Sequence, residues 1–181
     1  MILENRVKKV NKLAKSFKNA YKGVLLCIKN ERNMRIHLTI AAYVLAFSPF
    51  YKLNSSQYIM LLIVIGMVLF AESVNTAIEF AVNLHTPYYD NLARISKDVA
   101  AGAVLICAFF AAIIGCIFFL KPDIIIHIVK YMFDYPVWGC LFLISLPIFD
   151  LFIFCWPIKV NFKNDKNFIE SCRKRHTEVK K

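Results

Sequence analysis

Long apolar runs separated by short basic stretches dominate the chain. No charge falls between Lys52 and Glu72, and the wider run 57–82 covers 26 residues. As a helix it would measure about 39 Å, more than the roughly 30 Å core of a bilayer. Residues 99–120 form a second run with no charge, and 135–157 a third that carries one acid, Asp150. A shorter run, 36–50, can cross if Asn33, Met34 and Arg35 extend the helix and its flanking residues snorkel. The pattern predicts four crossings, the first the shortest.

Upstream the pattern changes. Val7, Val10, Leu13, Ala14, Phe17, Tyr21, Val24 and Ile28 recur mostly at steps of three and four, with Lys8, Lys9, Lys12, Lys15, Lys18 and Lys22 between them. This is an amphipathic helix lying on a membrane surface, its basic side toward anionic head groups. A nucleic-acid partner is not needed to explain the run, and none is expected.

Charge supports this topology. Residues 1–35 hold ten Lys or Arg, 83–98 hold Arg94 and Lys97, and 158–181 hold eight; only Lys52, Lys121 and Lys130 lie elsewhere. The positive-inside rule then puts both termini and the 83–98 loop in the cytoplasm. A hydrophobic content of 59% with a net charge of +11 excludes a disordered chain and argues against an ordinary soluble domain. The five glycines, at 23, 66, 102, 115 and 139, are too sparse for a glycine-rich phosphate loop. The six cysteines have no CxxC spacing, so a zinc site or secreted disulfide framework is not expected.

The chemistry lies in the second crossing, Glu72-Ser73-Val74-Asn75-Thr76-Ala77-Ile78-Glu79. Offsets of 0, 3, 4 and 7 put Glu72, Asn75, Thr76 and Glu79 on one helix face. Asn and Thr commonly join membrane helices to one another. Two glutamates on the same stripe repel unless a cation or a proton sits between them, which points to a working site. Glu31, Arg32 and Arg35 at the start of the first crossing, and Arg94, Lys97 and Asp98 before the third, fall at the same cytoplasmic level. Carboxylates, an amide and a lysine at a water–lipid boundary suit a divalent cation carrying phosphates.

Three stretches, Asn30-Glu31-Arg32-Asn33-Met34-Arg35-Ile36-His37, residues 72–79, and Lys97-Asp98-Val99-Ala100-Ala101-Gly102-Ala103-Val104-Leu105, resemble the prokaryotic diacylglycerol kinase family. The resemblance covers about residues 15–120. The Arg-Ile-His form at 35–37 is similar to the Gram-positive, undecaprenol kinase-like branch. It implies a homotrimeric membrane kinase that uses ATP and magnesium and phosphorylates a membrane lipid alcohol, undecaprenol before diacylglycerol. It implies Glu72 as general base on the lipid hydroxyl, with Asn75 orienting the site. Glu31 and Glu79 would serve the magnesium that carries ATP. Lys97 would meet the transferred phosphate, and Asp98 would lie close to the nucleotide. Depth fits these roles, because Glu72 lies two turns further into the bilayer than Glu79.

The expected architecture is thus an all-α integral membrane protein of the inner (plasma) membrane. Residues 1–30 form the surface helix, 31–120 the lipid kinase core with three crossings, and 121–181 an added crossing and basic tail. The active site faces the cytoplasmic leaflet. Departures from the resemblance are Asn83, where the family often has an acid, the stretch 85–89, and the added C-terminal 60 or so residues. Asp150 reads as a solvated acid near the cytoplasmic end of its span, and His37 either touches substrate or packs. Ala108, Ala111, Ala112 and Gly115 favour close helix packing, as at a subunit interface. The competing class is a non-catalytic four-span protein using the acidic stripe as an ion path; residues 99–120 have no polar stripe and 135–157 only Asp150, which gives that path no continuation.

Overall fold

The computed structural model describes residues 2–85 and 90–155, with side chains for 12–84 and 90–155. The expectations for the tail 158–181 lie outside these residues. Six α-helices follow one another: α1 (Ile2–Asn30), α2 (Arg32–Phe47), α3 (Ser55–His85), α4 (Asn91–Phe119), α5 (Pro122–Asp134) and α6 (Pro136–Asp150). A short 3-10 turn, Ser48–Tyr51, ends α2, and a π turn, Leu151–Cys155, ends α6. No strand occurs among the described residues.

Three stretches are long and apolar enough to cross a membrane: Ser55–Leu84, Asn91–Phe119 and Pro136–Cys155. α2 has 16 residues, about 24 Å of helix, short of the bilayer core on its own. It nevertheless runs the same course as the others. Its start is tied to Ile153 at the end of the last apolar helix, its middle to Ser145, and its last turn to Tyr58 near the start of α3. α2 is therefore antiparallel to both α3 and α6. Residues 32 and 155 lie at one end of the bundle.

Local chemistry explains the joints. Lys52, with φ 45, turns the chain in the left-handed region. Asn54 and Gln57 then cap α3 reciprocally, each backbone N–H donating to the other's side chain at 2.9 Å. Asp90 caps α4, accepting from Leu92 N at 2.7 Å and Ala93 N at 3.4 Å. The helix consequently begins at Asn91, which corrects the expected loop 83–98: Lys97 and Asp98 lie on α4. The sequence reading did not anticipate α5. Pro122 opens it, suited to a position whose N–H has no helical partner. Its Ile128 packs with Tyr51, Leu53, Leu61 and Phe118 in an oily cluster at the far end of the bundle.

α3 and α4 form the central antiparallel hairpin, with Ala100 and Val104 buried at a four-residue step on α4. α6 lies along α2 through aromatic contacts, Tyr43 with Phe149 at 5.0 Å between ring centroids and Phe47 with Phe142 at 5.6 Å. The stripe Leu13, Phe17, Tyr21 and Val24 on α1 stays uncovered by the rest of the chain, as an interfacial helix requires.

Candidate active site

The inward stripe of α3 consists of Leu61, Val68, Glu72, Asn75 and Thr76, all buried. Their spacing of seven, four, three and one keeps them on one face. The stripe is oily as far as Val68 and polar from Glu72 on. Glu72 and Thr76 are each only 1% exposed. Thr76 returns its hydroxyl to the Glu72 carbonyl at 2.9 Å, the usual bond of a buried threonine to its own helix. It is thereby unavailable to the Glu72 carboxylate. Both carboxylate oxygens of Glu72, and Oδ1 of Asn75, are buried without a hydrogen-bond partner among the described residues. An uncompensated buried carboxylate costs several kcal/mol, so this cluster is built to receive something.

α1 closes the stripe from one side. The Cys27 thiol lies within hydrogen-bond reach of the Thr76 and Ser73 hydroxyls, and burial pushes it above its usual range. It is a neutral packing group, the usual role of a partly buried cysteine. Four residues later the chain breaks. Glu31 is extended between α1 and α2, with φ −101 and ψ 117, and its N–H donates to Cys27 O at 2.8 Å. Glu31 and Glu79 both lie near enough for their charges to act on Glu72. A carboxylate from the α1–α2 joint thus comes close to two on the inward stripe of α3.

Lys97 belongs to the same constellation. It shares the α4 stripe of Ala100 and Val104 that faces α3, and its Nζ donates to Asn83 Oδ1 at 2.7 Å. Asn83 is the next step of the α3 stripe after Glu79. Asn83, standing where the family often has an acid, is therefore the residue that holds the lysine. Asp98, next in sequence, is exposed and paired with Arg94 one turn back on α4 at 3.0 Å. Arg35 does more than the sequence suggested. It is buried, 5% exposed, and donates to the backbone carbonyls of Ile28, Lys29 and Ile153. His37 is half-buried, and Asp150 is exposed at the end of α6.

Among the described residues no three His, Cys, Asp or Glu side chains are arranged to hold a metal ion by themselves. Magnesium characteristically takes one or two carboxylates and fills its remaining positions with water and phosphate oxygens. Glu31 and Glu79 beside the unmet oxygens of Glu72 fit that donor set. A cavity of about 520 Å³ lies elsewhere, between α2 and the α5–α6 pair; aromatic and aliphatic side chains with Ser145 line it, and no carboxylate does.

Apolar helices of membrane length, no phosphate loop and a buried acidic stripe faced by a lysine define an all-α integral membrane protein with a polar centre at one end. Residues 18–119 match the prokaryotic diacylglycerol kinase family, and the chain belongs to that family of lipid kinases. The match stops at Phe119, the last residue of α4, so α5 and α6 lie beyond it. Undecaprenol kinase of Bacillus subtilis is 36% identical over 111 residues, covering 61% of this chain and 90% of that protein. Diacylglycerol kinase of Synechocystis sp. is 36% identical over 108 residues, covering 59% of this chain and 62% of that protein. No solved structure matches the chain.

Proposed function

We propose that the protein transfers the γ-phosphate of magnesium-bound ATP to the hydroxyl of undecaprenol at the cytoplasmic leaflet of the plasma membrane, yielding undecaprenyl phosphate and ADP. The observation that carries this reading is the Glu72 carboxylate, buried and without a hydrogen-bond partner among the described residues, at the deep end of a polar stripe whose shallow end holds Glu79 and is faced by Lys97 of α4. A lipid hydroxyl approaching from the bilayer meets Glu72 first. Glu72 takes the hydroxyl proton as the oxygen bonds to the γ-phosphorus and the bond to the β-phosphate oxygen breaks. Asn75, its Oδ1 likewise unmet, orients the acceptor.

Glu31 and Glu79 would hold the magnesium, which neutralises phosphate charge. Lys97, supported by Asn83, meets the transferred phosphoryl group as a point charge. Asp98, exposed beside Arg94, is assigned to the nucleotide's approach. Catalysis then rests on positioning and charge rather than on a covalent intermediate. Residues 31–120 form the kinase core, 1–30 the surface helix and 121–181 an accessory span and tail. The uneven basic charge sets both termini in the cytoplasm, with α2 as a fourth crossing. The working unit is a homotrimer, which covers apolar α4 surface left bare in one chain.

The Bacillus subtilis relative, matched over 90% of its length, favours undecaprenol. The Synechocystis relative supports diacylglycerol as the second reading. Membranes containing the protein, given radiolabelled ATP and a panel of acceptor lipids, should label undecaprenol above diacylglycerol. Labelling of diacylglycerol alone would reverse the assignment, and no labelled lipid at all would remove the kinase reading.

A further inference from the structure

We propose that Arg35 is a positioning residue through which the C-terminal apolar helix holds the α1–α2 joint, and with it Glu31, in the geometry that binds nucleotide. The proposal rests on the role given to Glu31 above. Its basis is where the guanidinium goes. Arg35 Nη1 donates to Ile28 O and to Lys29 O, each at 3.0 Å. Nε and Nη2 both donate to Ile153 O, at 3.1 and 3.0 Å. Ile28 O and Lys29 O have no α-helical donor among the described residues: the amides that would serve them belong to residues 32 and 33, past the extended break at Glu31. Ile153 lies in the π turn that ends α6, and the amide an α-helix would give it, four residues on, belongs to Pro157, which has none.

One buried cation therefore closes the carbonyl ends of two helices, where partial negative charge collects. A planar fork of donors can reach in both directions at once, which a lysine cannot. The rest of α6 is held along α2 by the Tyr43 hydroxyl on Ser145 Oγ at 2.9 Å and by the Phe149 and Phe142 rings. The family match ends before α6 begins. The added span thus accepts half the hydrogen bonds of a buried arginine inside the kinase core. Loosening α6 leaves that half unmet and frees the joint on which Glu31 sits.

The test uses the full chain. Spin labels at Lys22→Cys and Phe154→Cys, with native cysteines changed to serine and labelled chains diluted among unlabelled ones, report the distance between α1 and the end of α6. The expected result is one narrow distance, broadened by Arg35→Gln and equally by Phe149→Ala. Both variants should raise the KM for magnesium-ATP by about fivefold or more, the lower range for coupled sites, and leave kcat within about twofold. The double variant should be no worse than either alone, since both act through one contact. A merely structural arginine would reduce the amount of active enzyme without moving KM. A distance that stays narrow in both variants overturns the proposal, and so does an unchanged KM where the distance has broadened. Should Arg35→Gln not fold, Phe149→Ala, remote from the joint, decides alone. An unchanged nucleotide KM in Glu31→Gln would instead sink the role of Glu31, and it is read separately because the distance measurement needs no turnover.

Discussion

The inward stripe of α3 carries two regions of opposite character on one helix face. At the far end Leu61 is enclosed by Tyr51, Leu53, Phe118 and Ile128, and every atom there has what it needs. At the other end Glu72 and Asn75 are buried as deeply, yet three of their oxygens have no hydrogen-bond partner among the described residues. Equal burial thus has opposite meanings. Apolar atoms are satisfied by contact alone, whereas a carboxylate removed from water is satisfied only by a proton, a donor or a cation. The oily end holds the bundle together, and the polar end keeps a demand for the substrate to meet.

Changes at the two ends should therefore separate stability from turnover. Glu72→Gln should give the largest effect, a loss of transfer of about a hundredfold or more, as for removal of a general base. Its thermal unfolding should stay at or above wild type, since a neutral amide is cheaper to bury. Radiolabelled phosphate transfer and a melting curve on the same preparation check both. Wild-type turnover would unseat Glu72. Leu61→Ala should do the reverse, costing about 2 kcal/mol or more of stability by leaving a cavity, with kcat unchanged in the folded fraction.

Smaller effects sharpen the boundary between the two regions. Glu79→Gln should raise the magnesium concentration needed for half-maximal rate by about tenfold, the size of one lost charge-assisted contact. A magnesium titration at fixed ATP measures it. Asn83→Asp would turn the 2.7 Å contact to Lys97 into an ion pair. At this exposed position the gain should be under about 1 kcal/mol, and a Lys97 held more tightly should show as a modest fall in kcat. Asp98→Asn should be smallest of all, because Asp98 is solvent-exposed and paired only along its own helix with Arg94. A change in nucleotide KM below about twofold, within the range of an exposed pair, would move Asp98 out of the site.

The site's stripe was legible because Glu72, Asn75, Thr76 and Glu79 announce themselves by spacing within a run that should be wholly apolar. The first two turns of α4 were not, because residues 91–98 are polar and a search for apolar runs sees only where oil begins. The Asp90 cap was the available signal. α5 was missed for another reason: Ile124, Ile128 and Met132 share an apolar side and Asp123, His127, Lys130 and Asp134 a polar one, but at 13 residues and broken by these charges it never registers as an apolar run. Arg35 could be seen as a charge inside a span, whereas its partner is 118 residues away and no local rule reaches that far. Pro157 was the hint, since it deprives a carbonyl one turn back of its donor.

The buried pair Ala100 and Val104 fixes more than a seam. Lys97 stands three residues before Ala100 and seven before Val104, and that count aims the ammonium group at α3. Inserting a single alanine between Lys97 and Ala100 would swing the amine by about 100° and lift it about 1.5 Å, with every side chain of the site still present. That turn of α4 therefore works as a ruler, whose length sets where the charge falls.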